Sequence, residues 1–255
     1  MSLLTETLLN HLRKARRVVA ITGGGVASEC NFPTFSEAHC GEWSRYDVSE
    51  LATPQAFLRN PRLVWDWYAY RRRSAISLTP GATHAALVRL EQLYPEFTLI
   101  SQAIDGLHAS AGTHNLIELN GSLHRLRCFD AGHAVDGWEY IGELPPHCPH
   151  CGSLLRPDVV MFGEGLPQAE LRQAREAVSH CDLLLCLGMI GAIEPVSSFP
   201  FLARRAHARV IAITPEESIY TLLADDVIEA YPRDILPEII TALQESKSSD
   251  QQREA

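Results

Sequence analysis

The chain has 255 residues, 46% of them hydrophobic, and a formal net charge of −9. That length suits one α/β domain or one large and one small lobe, and the acidic balance excludes broad phosphate-driven binding of nucleic acid, which needs a basic surface. No apolar run reaches the length of a membrane span, and seven cysteines in a chain that reads as cytoplasmic point to thiols or metal ligands, not disulfides.

Residues 2–15 carry Leu3, Leu4, Leu8 and Leu12 at helical spacing, with the basic residues after them, so an amphipathic helix is predicted and not a signal peptide. "RVVAIT" (17–22) is a β-rich apolar run that stops at Gly23-Gly24-Gly25. From Thr53-Pro54 to about Ile76 the pattern is helical in two pieces, broken at Asn60-Pro61 because proline blocks the preceding turn. A helix is predicted over 84–93, and strands over 97–104, 115–119 and 159–162. A helix over 166–181 leads into a buried strand over 182–188; a helix over 196–207 precedes a strand over 209–214. The last helix covers 232–244, and the polar residues 246–255 read as a disordered tail.

Continuous apolar strands alternating with helices imply a parallel sheet covered on both faces. Residues 34–80, helical only, and 123–157, loop-rich with three cysteines, do not share that rhythm. They read as insertions packing together as a small second lobe, beside a large lobe built from 1–33, 81–122 and 158–245.

Three glycines directly after the first strand allow a tight turn and let backbone N–H groups approach a pyrophosphate. Position 28 is Ser28, so the full G-x-G-x-x-G pattern is missing, and a plain strand-to-helix turn is the alternative. Cys148-Pro149-His150-Cys151-Gly152 is a C-x-x-C-G turn able to grip one zinc ion. Cys128 is a third candidate ligand; Ala131, where a second C-x-x-C pair would end, has no ligand atom. His133, Asp130, His147 or His150 could complete the set, and a metal-free knuckle held by packing is the alternative.

Taken in order, these pieces resemble the sirtuins, the NAD-dependent protein-lysine deacylases, over about Val18 to Leu243. "TGGGVASECNFPTF" resembles the family's glycine loop, "SQAIDGLH" its TQNIDGLH, and "IELNGSL" its ELHGS. "PDVVMFGE" resembles the strand ending in FGE, "LCLGMIGAIEP" the GTS-x-x-V-x-P segment, and "IAITPEE" the I-N-x-E end of a strand. The resemblance implies an α/β fold: a Rossmann-like parallel sheet in the large lobe, and a small lobe made of a helical module (34–80) and a zinc-ribbon-like module (123–157). It implies NAD held by Gly23, Gly24, Gly25, Phe35, Gln102, Ile104, Asp105, Gly188 and Thr214, and zinc on Cys128, Cys148 and Cys151. An acylated lysine of a protein or peptide would lie along Val160, Phe162, Gly163 and Ile193.

"WDWYAYRRR" (65–73) further resembles the branch that removes acidic acyl groups, succinyl or malonyl, through a Y-x-x-R pair. Tyr68 and Arg71 share a helix face, and an arginine fork matches a carboxylate; an ordinary helix surface is the alternative. In the reaction the resemblance implies, the acyl oxygen attacks the ribose carbon bearing nicotinamide, and a histidine takes a proton from a ribose hydroxyl. That histidine falls at Asn120, grouped by resemblance with Gln102 and Asp105 as catalytic positions. Asparagine cannot accept the proton, and a lost general base costs a factor of about 10² to 10⁴. Ala103, Ser36, Met189, Ile190 and Thr214 also replace polar or charged cofactor-side residues of the family. Neither His124, about 13 Å along the strand, nor His108 is a convincing substitute base. Three functions follow: a desuccinylase-type deacylase with impaired chemistry, an inactive module binding acyl-lysine, NAD or ADP-ribose, or an enzyme with altered NAD chemistry such as ADP-ribosyl transfer.

Overall fold

A computed structural model describes residues 3–135, 143–189 and 193–254, with side chains through 246. The strands in chain order are β1 (Arg17–Thr22), β2 (Glu96–Ser101), β3 (Leu116–Glu118), β4 (Gly121–Cys128), β5 (Ala134–Val135), β6 (Leu155–Val159), β7 (Leu183–Leu187), β8 (Arg209–Ile213) and β9 (Asp226–Ile228). Six of them form a parallel sheet in the order β3-β2-β1-β7-β8-β9.

The central strands β1, β7 and β8 are apolar over most of their length because both faces are covered. Val18, Ala20, Leu183, Leu185, Leu187, Ile211 and Ile213 pack on one face against the helices Glu6–Lys14, Ala82–Leu93 and Pro232–Glu254. Their alternates Val19, Ile21, Leu184, Cys186, Val210 and Ala212 pack on the other against Gln168–His180 and Phe199–Arg205. The period of two in side-chain direction splits one hydrophobic run into two cores. The strand order reverses between β1 and β7, so a crevice opens at their carboxyl ends. No helix of the described residues is long and apolar enough to cross a membrane.

Between β1 and β2 the chain forms short capped helices. Thr53 accepts from the Ala56 N–H (3.1 Å) ahead of Pro54–Arg59, and Asn60 from the Leu63 N–H (3.2 Å) ahead of Pro61–Ile76. Each cap is followed by proline at the first helical position, where its missing N–H costs nothing. Val64, Trp67 and Tyr68 pack there against Leu123, Val159 and Met161, joining this module to the second sheet.

That second sheet, β5-β4-β6, is antiparallel and corrects two expectations. Residues 123–157 were predicted loop-rich but hold most of β4 and all of β5. The strand predicted over 159–162 ends at Val159 and starts at Leu155. The first difference has a local cause: the β4–β6 register shifts between Ser122 and Leu126, and the extra residues in β4 break the alternation that marks a strand in sequence. The segment β6 (LRPDV) carries arginine, proline and aspartate and so lacks an apolar run. Gly121, at φ 73°, lies so close to the Asp158 carbonyl that no side chain fits. The last helix runs to Glu254 instead of stopping at 244, since 245–254 contains neither glycine nor proline to end it.

Candidate functional site

A cavity of about 650 Å³ opens at the crevice between the two sheets. Most of the residues singled out from sequence line it together. Gly24, Phe35, Gln102 and Ile104 come from the set that the resemblance assigns to the cofactor. Tyr68 and Arg71 come from the long helix of the small lobe, and Val160, Phe162, Gly163 and Ile193 from the substrate side. Asn120 lies among them.

Gly23, Gly25, Asp105, Gly188 and Thr214 lie outside the lining. The Gly23 N–H donates to the Leu187 carbonyl (3.3 Å) and the Gly25 N–H to the Gly188 carbonyl (3.0 Å). A Cβ on Gly25 would meet the Gly188 oxygen at 2.8 Å. Two glycines of the turn therefore serve close backbone packing, and the middle one, with open space where a side chain would start, faces the cavity. Met189 is 3% exposed and belongs to the core with Ile21, Ile100 and Tyr220. Thr214 is buried and accepts from the Glu216 N–H (3.2 Å). Ile190 lies outside the described residues.

Asn120 ends the turn from β3 into β4, and its two ends are tied. The side-chain amide donates to the Gln102 carbonyl (2.7 Å), and the backbone carbonyl accepts from the Val160 N–H (2.9 Å). Its Oδ1 is left as the end that can accept from a ligand. Gln102 Nε2 and Asp105 Oδ2 are buried with no hydrogen-bond partner in the protein, although Asp105 Oδ1 accepts from the Leu107 N–H (2.9 Å). Burial pushes the Asp105 carboxyl above its ordinary value, over the opposing pull of that N–H. Orphaned buried polar atoms are costly; Gln102, which lines the cavity with Gly24, fits a polar ligand there, such as the nicotinamide riboside half of NAD.

Arg71 is 4% exposed. Its Nη2 donates to the Pro33 carbonyl (3.0 Å), its guanidinium lies 4.9 Å from the Phe32 ring centroid, and its Nε has no partner. No carboxylate among the described residues forms an ion pair with it. Burial lowers its affinity for the proton, so a counter-charge is favoured there. Burial also pushes the Tyr68 phenol up to about 12, which keeps it a donor.

His124 does not face the ribose position; its Nε2 pairs with the Asp105 carbonyl (2.8 Å). His108 is buried, paired with the Thr22 hydroxyl (2.9 Å) and packed on His84 with ring centroids 4.5 Å apart. Burial drives its pKa down to about 3 and that of His84 to about 4.

In the small lobe, ligand atoms of Cys128, His133, Cys148 and Cys151 all lie within 4.8 Å of one another. His133 thus stands out among the four fourth-ligand candidates. The Cys128 N–H donates to the His133 carbonyl (2.8 Å), so a turn over Asp130-Ala131-Gly132 returns the histidine to the thiols. His147 is taken up otherwise, its Nδ1 meeting the Gly152 carbonyl at 2.6 Å. Burial opposes the Cys128 thiolate, but the Ala131 N–H and the Cys151 thiol outweigh it and bring the thiol down to about 6. Three thiols and an imidazole suit tetrahedral zinc. A turn residue set between cysteine and histidine was the sequence signal that could have selected His133. The apolar walls Ala27, Phe32, Met161 and Leu166 carried no such signal.

Residues 23–195 match the Sir2 family model. The chain is 40% identical over 211 residues to an NAD-dependent protein deacylase of Aquifex aeolicus, covering 82% of this chain and 87% of that one. It resembles a solved Sir2 homolog–NAD complex with TM-score 0.87 and 35% identity, covering 95% of each chain. It also resembles a Sir2 homologue carrying a histidine-to-asparagine substitution, in complex with ADP ribose, with TM-score 0.86 and 34% identity over 96% of this chain and 98% of that one.

Proposed function

The chain belongs to the Sir2 family, and from that premise we propose that it is an NAD-dependent protein-lysine deacylase whose pocket selects acidic acyl groups and whose turnover is impaired at Asn120. One observation carries this reading: a buried guanidinium without an ion-pair partner among the described residues lines the same cavity as Tyr68, Gln102 and Asn120. The carboxylate of a succinyl- or malonyl-lysine would receive two hydrogen bonds from Arg71 and one from the Tyr68 hydroxyl. Val160, Phe162, Gly163 and Ile193 would line the path of the lysine chain.

NAD, when bound, would supply the ribose carbon that the acyl oxygen attacks, with nicotinamide as the leaving group. Gln102 would meet its polar groups with its unpartnered Nε2, Asp105 would hold the turn behind it through the Leu107 N–H, and Gly24 would leave room for it. Asn120 would accept a ribose hydroxyl at Oδ1 and hold it without removing its proton. Zinc on Cys128, His133, Cys148 and Cys151 would be structural, since all four positions of a tetrahedral site are filled by protein.

The same commitment of the Asn120 amide to the Gln102 backbone favours a second reading, a module that binds acyl-lysine and ADP-ribose without turnover. The test incubates the protein with succinyl-lysine peptide and NAD and follows nicotinamide and free lysine separately. Slow release of both is expected. Rapid turnover of both would overturn the role given to Asn120. Binding without either product would establish the second reading, and nicotinamide without free lysine would point to ADP-ribosyl transfer.

A further inference from the structure

Arg127 and Arg156 stand directly opposite each other on the antiparallel strands β4 and β6. Like charges in that relation repel, and Arg156 is only 2% exposed, so water does little to screen it. The carboxylate shared by both is Glu164, from the loop after β6; Asp158 Oδ1 adds a longer contact to Arg127 Nη1 at 3.9 Å. Arg156 Nη1 and Nη2 reach its two oxygens at 2.6 and 2.9 Å, and Arg127 Nη2 donates to it at 3.3 Å. Arg156 Nη2 also donates to the Val159 carbonyl (2.7 Å).

Glu164 in turn holds its own loop. Its carboxylate accepts from the Met161 N–H (2.8 Å), and its N–H donates to the Met161 carbonyl (3.0 Å). Gly163 within this turn has φ 87°, and Phe162 is tethered by its N–H to the Ala52 carbonyl (2.9 Å). Val160 through Glu164 all line the cavity, yet Glu164 has its oxygens occupied by arginines and backbone. A buried, bidentate, charge-assisted pair is among the most geometrically restrictive contacts available. Its position here makes the shape of the cavity wall depend on two residues of the second sheet.

We propose that Arg156 and Arg127 are positioning residues for the acyl-lysine peptide: through Glu164 they hold the 160–163 backbone in the conformation against which the peptide lies. This rests on the deacylase reading above but is independent of which acyl group is preferred. Neither arginine lines the cavity.

The experiment compares wild type, Glu164→Gln, Arg156→Lys and Arg127→Met in the full chain. Binding of acetyl-lysine and succinyl-lysine peptides is measured by fluorescence polarisation, and binding of ADP-ribose by calorimetry. Glu164→Gln should weaken both peptides about tenfold while ADP-ribose affinity stays within about twofold. Arg156→Lys, which keeps the charge but loses the two-pronged fork, should weaken both peptides in the same way and by less than Glu164→Gln does. Equal peptide affinity in a folded Glu164→Gln, or a parallel loss of ADP-ribose, overturns the proposal. If Glu164→Gln does not fold, Arg127→Met decides the matter, because that side chain is partly exposed: weakened peptide binding supports the proposal and unchanged binding overturns it. Wild type that binds the acetyl but not the succinyl peptide would remove only the acidic-acyl preference. Wild type that binds ADP-ribose but neither peptide would remove the deacylase reading and this proposal with it.

Discussion

The two lobes are held by different physics. The large lobe has a core on each face of its sheet, with Leu99, Leu184, Leu185 and Ile211 fully buried. Among the described residues, the zinc-ribbon-like part of the small lobe has a small core of Leu126, Cys128, Cys148 and Leu155 under Trp65 of the helical module, two of them thiols, with Val135 and Leu144 packed against it. So small an apolar cluster cannot offset the entropy of ordering its loops. Metal ligands and the Arg125, Arg127 and Arg156 ion pairs must make up the difference. The cavity lies where the two lobes meet, with Gly24, Gln102, Val160, Phe162 and Ile193 from the large lobe and Tyr68 and Arg71 from the small one.

Stripping the metal is the harshest test of that contrast. Structural zinc is worth about 10–16 kcal/mol of apparent binding energy in small modules. A strong chelator, or Cys148→Ser, should melt the 123–157 region and abolish peptide binding, while hydrogen exchange in β1, β2, β7 and β8 stays protected. Equal loss of protection in both lobes would mean that they share one cooperative core.

Acid should strike the opposite lobe. His84 and His108 keep depressed pKa values of about 4 and about 3 in the folded chain, against 6.5 for the free group. The unfolded chain therefore takes up their protons first. Their contribution to stability is complete above about pH 6.5 and is lost as pH falls toward those folded values, by about 1.4 kcal/mol per unit for each ring. Urea unfolding of the large lobe between pH 7 and pH 5 should follow that slope, and His84→Gln should reduce it. A flat profile would show the rings to be hydrated.

Within the cleft the effects are smaller. Arg71→Met should cut the preference for succinyl-lysine over acetyl-lysine about ten- to a hundredfold, leaving the acetyl peptide little changed. An equal loss for both peptides would make Arg71 a scaffold residue of the small lobe. Least of all, Asn120→His should raise turnover by no more than about tenfold, below the factor of about 10² to 10⁴ typical of a general base, because Ala103 and Ser36 remain. Rescue to rapid turnover by this change alone would show that those two positions matter little.

How far each lobe could be read in advance follows the same division. Strands β1, β7 and β8 fell within a residue of their predicted ends, because a strand buried on both faces needs an unbroken apolar run and little else. The small lobe hid β4, since a bulge between Ser122 and Leu126 removed its alternation. The candidate site was legible where it rested on local chemistry: Tyr68 and Arg71 one helical turn apart, and the Cys148–Cys151 knuckle. It was not legible where partners lie far apart in the chain. Nothing in "IELNGSL" says that the Asn120 amide is spent on the Gln102 carbonyl.

By itself the sequence determined the parallel sheet, the glycine turn and the cysteine knuckle, because each depends on residue type and short-range spacing. Tertiary structure alone decided that His133 joins the three thiols, that Gly24 and not its neighbours faces the cavity, and that Arg127 and Arg156 close on Glu164. Those choices depend on strand register and on how two lobes pack. Register is a sum over many long-range contacts, and no short stretch of chain records it.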